Sequence, residues 1–530
     1  MLIDTAITST RSGRNADDLA LYPSKVRTIV ERGLLVILFT VLVALATFAN
    51  RDALNQDAVS YLGLARHYVD GHFMVAVSGT WSPLFIWLLA ALLSFGGDPV
   101  LIGRLAMAIS AIVFVGGAAS VFGRIENRSV KLAAMVASVL LAAEAAGEAI
   151  TPDLLSAGLY CYACTAMVAS WRRNSVWPPF AAGCLFGISY LAKAVFFPVS
   201  ILVVTLSFAA AAYTRTMSGK TAATQCAICL SALLVVSAPW VMVLSSKYGG
   251  FTFTTISRVN SAVIAPPSVR QDYPTFSSFF VPEQGRRSQW EDESVVPSLR
   301  PWSPFGSPRS FIYSLETTLQ NIPNVLADVR AYDWTGLSLI GLALFLGRSV
   351  LHRRSMLTSS LASFAIPTFC LLLPYLPFMT PFPLDERRYF YCILPFVFAS
   401  SLEAARIIGT GLCGRKGARA TLALMLMLLV IAMASLLPKQ AFRSPVTAEA
   451  GELQLGRALA PSLEHLKLIG PIAAAGHYAR EKARYLAFAL DAPYNGSEDA
   501  ATVKRLLQSC ANLILAETDS APDRMMASRH

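Results

Sequence analysis

Apolar runs of membrane-crossing length recur along most of this chain, and they decide the solvent in which it folds. A hydrocarbon core of ~30 Å takes about 20 apolar residues as a helix. The stretches 33–50, 100–122, 194–213 and 223–245 are of that order. The runs are continuous rather than alternating, so helices are expected and a transmembrane barrel is not. Of the 530 residues, 55% are apolar and only 15% charged, and the mean hydropathy is +0.52. Soluble domains carry about 25% charged residues. That composition excludes an ordinary soluble enzyme, collagen, a disordered chain, a coiled coil and a disulfide scaffold. Most of the nine cysteines fall inside apolar runs. The pairs Cys161/Cys164 and Cys226/Cys229 have no histidine nearby to complete a metal site, and read as small fillers of a helix face. The net charge of +11 is topological, because Lys and Arg collect in cytoplasmic loops. No basic stripe with interleaved aromatics is present, so no nucleic-acid partner is expected.

Orientation follows from the basic residues. The tail 1–32 carries Arg11, Arg14, Lys25, Arg27 and Arg32, and is expected in the cytoplasm. The run 33–50 leads outward. The first outer loop, 51–82, contains a surface helix over 57–69, with apolar residues at helical spacing. The next run, 83–95, is short for a span. If it crossed, every later basic loop would face outward, so a re-entrant or interfacial helix is expected there. Further spans are expected at 100–122, 132–149, 154–170, 177–192, 194–213, 223–245, 334–347, 356–376, 389–405 and 420–437, about eleven in all. A long polar segment, 246–332, lies outside. The expected fold is therefore an all-α polytopic membrane protein with three parts. These are a cytoplasmic tail (1–32), a transmembrane domain (33–437) and an external C-terminal α/β module (438–530). In that module "LIGPIAAAG" reads as a buried strand, "REKARYLAFAL" as an amphipathic helix, and "ATVKRLLQSCANLILAE" as helix then strand.

Charge at membrane depth is costly, so charges at span ends are candidates for chemistry. On the outer side these are Asp57 in "NQDAVSYL", Asp153 in "ITPDLL", Lys193, Arg258 in "FTTISRVNSA", and Arg387 and Arg388 before Tyr389. Trp81 opens the short apolar run. A carboxylate and several cations at one interface suit a phosphorylated lipid: the cations hold phosphate and the carboxylate acts on an acceptor. Plainer roles exist for each. Asp57 and Asp153 can cap helices, Lys193 can snorkel to headgroups, and Arg387 and Arg388 can pair with Asp385 and Glu386. Arg258 can be an ordinary loop charge. Trp81 can sit in an interface belt, and His67 and His72 read as surface residues.

The order of these motifs resembles the GT-C superfamily of integral-membrane glycosyltransferases, including protein O-mannosyltransferases and aminoarabinose transferases. The resemblance rests on "DAVSYL" with downstream "WSPLF", on "TPDLL", "YLAK" and "ERRYFYCILP", over residues 34–405. It implies a hexosyl- or pentosyltransferase of a bacterial-type inner membrane, N-terminus cytoplasmic and C-terminus periplasmic, needing no cofactor. The implied donor is a polyprenyl-phosphate monosaccharide. The implied acceptor is a lipid-linked glycan, a lipid A-type lipid or a protein. Carried over, Asp57 is the base. Arg258, Lys193, Arg387 and Arg388 hold the donor phosphate, and Tyr61, Trp81, Asp153 and Tyr389 line the sugar and acceptor. Two departures stand out. Gln56 precedes Asp57 where many relatives have an acidic pair, which argues against a divalent metal. "WSPL" replaces a segment that often carries a cation, which shifts weight to Lys193 and the arginines. A polymerase or ligase acting on lipid pyrophosphate glycans shares these features. A transporter or flippase instead predicts mid-membrane charges and paired broken helices.

Overall fold

With no water to satisfy its backbone, a membrane segment must close its own hydrogen bonds, and helices do so. A computed structural model of the chain describes residues 12–125, 127–172, 175–271, 279–282, 285–293, 300, 302–330, 360–378, 387–399, 448–465, 469–476, 479–498 and 503–516. Its first ten helices are α1 (Ser12–Ala49), α2 (Gln56–Val69), α3 (Phe73–Ala76), α4 (Pro83–Leu93), α5 (Pro99–Phe122), α6 (Arg128–Glu148), α7 (Asp153–Ser170), α8 (Trp177–Ala192), α9 (Phe196–Tyr213) and α10 (Gly219–Tyr248). Then come α11 (Ile256–Val263), α12 (Pro308–Arg330) and α13 (Ser360–Leu372). The predicted spans 334–347 and 420–437 lie outside the described residues, as do parts of 356–376 and 389–405.

Five of these helices are long and apolar enough to cross a membrane: Thr28–Ala49 within α1, α5, α6, α9 and α10. The predicted spans 154–170 and 177–192 also form helices, but α7 has 18 residues and α8 has 16. At 1.5 Å per residue those are ~27 and ~24 Å long. Both pack inside the bundle, α7 against α5 and α8, and α8 against α10. Close approach is bought by glycine: a Cβ on Gly158 would run into the Val113 carbonyl, and one on Gly117 into the Gly158 carbonyl. Small residues at crossings are the usual device in lipid, where no hydrophobic force draws helices together.

Local sequence sets the helix ends. Asp98 Oδ1 accepts from the Val100 and Leu101 amides at 2.9 and 3.1 Å and starts α5. Asn127 and Ser218 cap α6 and α10 in the same way. Pro83 and Pro99 occupy first-turn positions, where the missing amide costs nothing.

Arg104, inside the predicted span 100–122, is fully buried. Its guanidinium donates to the Ala146 and Gly147 carbonyls at 3.2 and 3.0 Å and to the Ala53 carbonyl at 2.6 Å. A cation thus meets the negative end of α6 and ties α5 to the turn that leads into α2.

The C-terminal part contains α14 (Ala448–His465), β1 (Ile472–Ala475), α15 (Ala479–Ala489), β2 (Tyr494–Glu498), α16 (Val503–Gln508) and β3 (Leu513–Ala516). The strands form a parallel sheet in the order β2-β1-β3. Ile472, Ala474, Ala483, Leu486 and Tyr494 pack its core. β2 is a strand the pattern did not show, because "YNGSE" is short and polar. It is held on its outer edge by the loop: Tyr494 N–H donates to Arg287 O at 2.7 Å, and Phe280 N–H to Asn495 O at 2.8 Å.

Candidate active site

The turns entering α2 and α7, and the turn leaving α8, lie at one end of the bundle. Asp57 stands in the first turn of α2, after Asn55, whose Oδ1 accepts from Ile150 N–H at 2.8 Å. At that first turn the helix dipole favours an anion. Arg388, on the 3-10 turn Arg387–Phe390, donates through Nη1 to Asp57 Oδ2 at 2.7 Å.

A second ion pair lies alongside. Asp153 opens α7 and is 5% exposed; Lys193 follows α8 in extended conformation, and its Nζ donates to Asp153 Oδ1. Tyr389 stands between the two pairs. Lys193 Nζ is 4.2 Å from its ring centroid and Arg388 Cζ is 5.4 Å from it. Tyr375 stacks on Tyr389 at 5.3 Å and 11°. Two carboxylates and two cations thus surround one aromatic ring, which can hold an apolar sugar face or lipid stem beside a phosphate.

Tyr61, one turn along α2 from Asp57, packs edge-on against Trp81 at 4.7 Å and Phe85 at 5.4 Å. Burial first, and then the Asp57 and Asp153 charges, push its phenol well above the ordinary tyrosine value. Trp81 Nε1–H donates to Trp290 O at 2.6 Å.

Asp57, Asp153, Lys193, Arg388, Tyr389, Tyr61 and Trp81 are therefore brought to one region. Arg258 lies exposed on α11, whose start is tied to the Gly79 carbonyl by Thr255 N–H at 2.8 Å. No hydrogen bond or ion pair joins the Arg258 side chain to these seven among the described residues. Arg387 begins the turn that carries Arg388, and its side chain lies outside the described residues.

Several participants gave no signal in sequence. Tyr375 is recognisable only once Tyr389 is stacked on it. His67, expected at the surface, is 3% exposed, with Nε2 3.0 Å from Glu291 Oε2. Burial follows because α2 is covered by the outer segment 286–293. Asp292 in that segment accepts from Arg286 at 3.0 Å, Lys247 at 3.1 Å and Tyr248 at 2.5 Å, which pins the segment to the end of α10. The C-terminal part meets α2 and this segment: Arg66 Nη1 of α2 donates to Asp491 at 2.7 Å, and Arg484 lies 4.2 Å over the Trp290 ring.

Fold and site together define a multi-pass helical membrane protein with two ion pairs at the mouth of its bundle. Among solved structures it is similar to ArnT from Cupriavidus metallidurans bound to undecaprenyl phosphate. The TM-score is 0.51 at 14% identity, over 91% of this chain and 90% of that one. It is also similar to the archaeal oligosaccharyltransferase AglB from Archaeoglobus fulgidus in complex with an inhibitory peptide and a dolichol-phosphate. There the TM-score is 0.51 at 10% identity, over 88% of this chain and 64% of that one. No family model and no curated protein matches the chain. The chain shares its fold with these two structures, in line with the fold that the sequence resemblance implied.

Proposed function

We propose that the chain is a GT-C glycosyltransferase that moves a monosaccharide from a polyprenyl-phosphate donor to an acceptor at the outer face of an inner membrane. The observation that carries this reading is the pair of acid–base couples, Asp57–Arg388 and Asp153–Lys193, on either side of Tyr389. ArnT with undecaprenyl phosphate and AglB with dolichol-phosphate support the class of donor.

In this reading the acceptor oxygen attacks the anomeric carbon and the carbon–oxygen bond to phosphate breaks. The acceptor proton passes to Asp57. The leaving phosphate takes the bonding electrons, and Arg388 and Lys193 stabilise its charge. Both cations are paired with carboxylates in the structure. Phosphate binding therefore exchanges one anion for another, and Arg388 frees Asp57 as it turns to the donor.

The test supplies radiolabelled polyprenyl-phosphate sugars to membranes holding wild type or Asp57→Asn. Label reaching a lipid, glycan or protein with wild type only establishes transferase and base together. Equal transfer by both moves the base to another group, with Asp153 next. No transfer from any donor by well-folded wild type overturns the reading.

A further inference from the structure

The outer segment that covers α2 holds two polar side chains which the fold leaves without work. Glu293 and Gln289 are each 1% exposed. Neither oxygen of the Glu293 carboxyl, and neither end of the Gln289 amide, has a hydrogen-bond partner among the described residues. Their neighbours in the same segment are all engaged: Glu291 with His67, Asp292 with three donors, and the Trp290 carbonyl with Trp81. A buried polar group without a partner is destabilising, and apolar residues would serve packing better. Such groups are kept where a ligand completes them.

Glu293 also feels the charge of Asp57, of Arg484 from α15, and of Asp292. The segment reaches the proposed base by contact: the Trp290 carbonyl accepts from Trp81, which packs on Tyr61, one turn along α2 from Asp57. Burial first, and then the Asp57 charge, raise the Glu293 carboxyl well above the ordinary glutamate range. A neutral carboxyl, like a carboxamide, both donates and accepts. Two such groups match a ligand that offers donors and acceptors in pairs and no net charge, as neighbouring sugar hydroxyls do.

We infer that Glu293 and Gln289 form the acceptor subsite beside Asp57, and that the acceptor presents a hydroxyl-rich carbohydrate moiety there. The inference rests on the transferase reading above and names its acceptor class. It also gives the C-terminal part a task, since β2 holds the segment from one side and Arg484 stacks on Trp290 within it.

The experiment uses the purified full-length chain, the radiolabelled donor, and as acceptor probe the fraction that becomes labelled in wild-type membranes. Donor and acceptor are titrated separately for wild type, Glu293→Gln, Glu293→Leu and Gln289→Leu. Glu293→Leu and Gln289→Leu are expected to raise the acceptor KM about five- to ten-fold, the loss of one or two neutral hydrogen bonds, with the donor KM unchanged. Glu293→Gln, which still donates and accepts, is expected to stay within about two-fold. Glu293→Leu is expected to raise Tm, whereas a merely structural glutamate would lower it on removal. An acceptor KM unchanged in both leucine variants overturns the subsite. Loss in Glu293→Gln as large as in Glu293→Leu overturns the neutral pairing. A labelled product that carries no carbohydrate besides the transferred sugar overturns the acceptor class. Failure of wild type to transfer at all strikes the transferase reading instead, so the two failures are distinguishable.

Discussion

Arg388 reaches Asp57 over 2.7 Å, although 331 residues separate them in the chain. The pair is mostly buried, at 16% and 20% side-chain exposure, but Asn in place of Asp57 keeps the shape and an oxygen that accepts from Arg388. Its weight falls on function. Asp57→Asn is expected to lower transfer by about 10²-fold or more, the range for a lost general base, with Tm nearly unchanged. Arg388→Ala should weaken undecaprenyl phosphate binding as well as turnover. Binding by fluorescence and initial rates separate the two. A Tm collapse in Asp57→Asn would make the pair structural.

The Asp153–Lys193 pair is expected to behave differently, because Asp153 is buried. Removing one partner of a buried pair leaves an uncompensated charge and costs about 3–5 kcal/mol. Lys193→Met should therefore lower the unfolding midpoint in detergent by several degrees. Asp153→Asn combined with Lys193→Met should recover much of the loss, since no orphan charge remains. Equal destabilisation of the single and double variants would count against this account.

Glu293 gives a pH dependence of defined sign. Its carboxyl is raised in the fold by burial, and then by Asp57 and Asp292, with Arg484 opposing. The folded state thus holds a proton that the unfolded chain releases near about pH 4.3. The associated stability is present below that value and is lost as pH rises through the raised folded value. Glu293→Gln cannot lose it. The Tm of Glu293→Gln relative to wild type is expected to climb from about pH 5 to pH 8, and a difference independent of pH would refute the raised carboxyl.

Much of the bundle was legible because lipid leaves few choices. Continuous apolar runs, with basic residues setting the loops between them, predict α5 to α10 within a few residues. Asp57, Asp153, Lys193 and Arg388 were legible as candidates because each is a charge at a span end. Their partners were not. Nothing in the sequence says that Arg388 meets Asp57 or that Lys193 meets Asp153, and on sequence Arg258 stands first among the phosphate candidates. The subsite residues Gln289 and Glu293 sit in a polar loop, where such residues are unremarkable until burial makes them unusual. Arg104 lies within an apolar run, where its donors answer the carbonyl end of α6 and the turn before α2.

Helix crossings supply a further expectation. At Gly117 and Gly158, α5 and α7 approach so closely that a side chain on either meets backbone. Backbone cannot swing away as a flexible side chain can. Gly158→Val is expected to abolish the folded protein in detergent extracts, judged by size-exclusion profile, while Gly33→Val on α1, where a Cβ meets nothing, is expected to be tolerated. A normal profile for Gly158→Val would mean the crossing is looser than drawn.

The last expectation concerns α12, which lies in the second half of the outer segment 246–332. Phe311, Ile312, Leu315 and Leu319 are exposed along one stripe of it, at the three- and four-residue spacing of a helix face. The opposite side is bonded inward: Asn321 Nδ2–H donates to Leu376 O at 2.7 Å, beside the Tyr375 that stacks on Tyr389. An amphipathic helix with such a stripe is expected at the lipid headgroups, its apolar side in the acyl boundary. Spin labels at Leu315 and Leu319 are therefore expected to relax with oxygen, a lipid-phase quencher, more than with a water-soluble nickel chelate, and a label at Glu316 the reverse. Replacing Leu315 and Leu319 together by Ser should reduce transfer from a lipid-borne donor, because the helix supports the turn beside Tyr389. Labels that all relax with the nickel chelate would show a helix in water, and the stripe would then need another occupant.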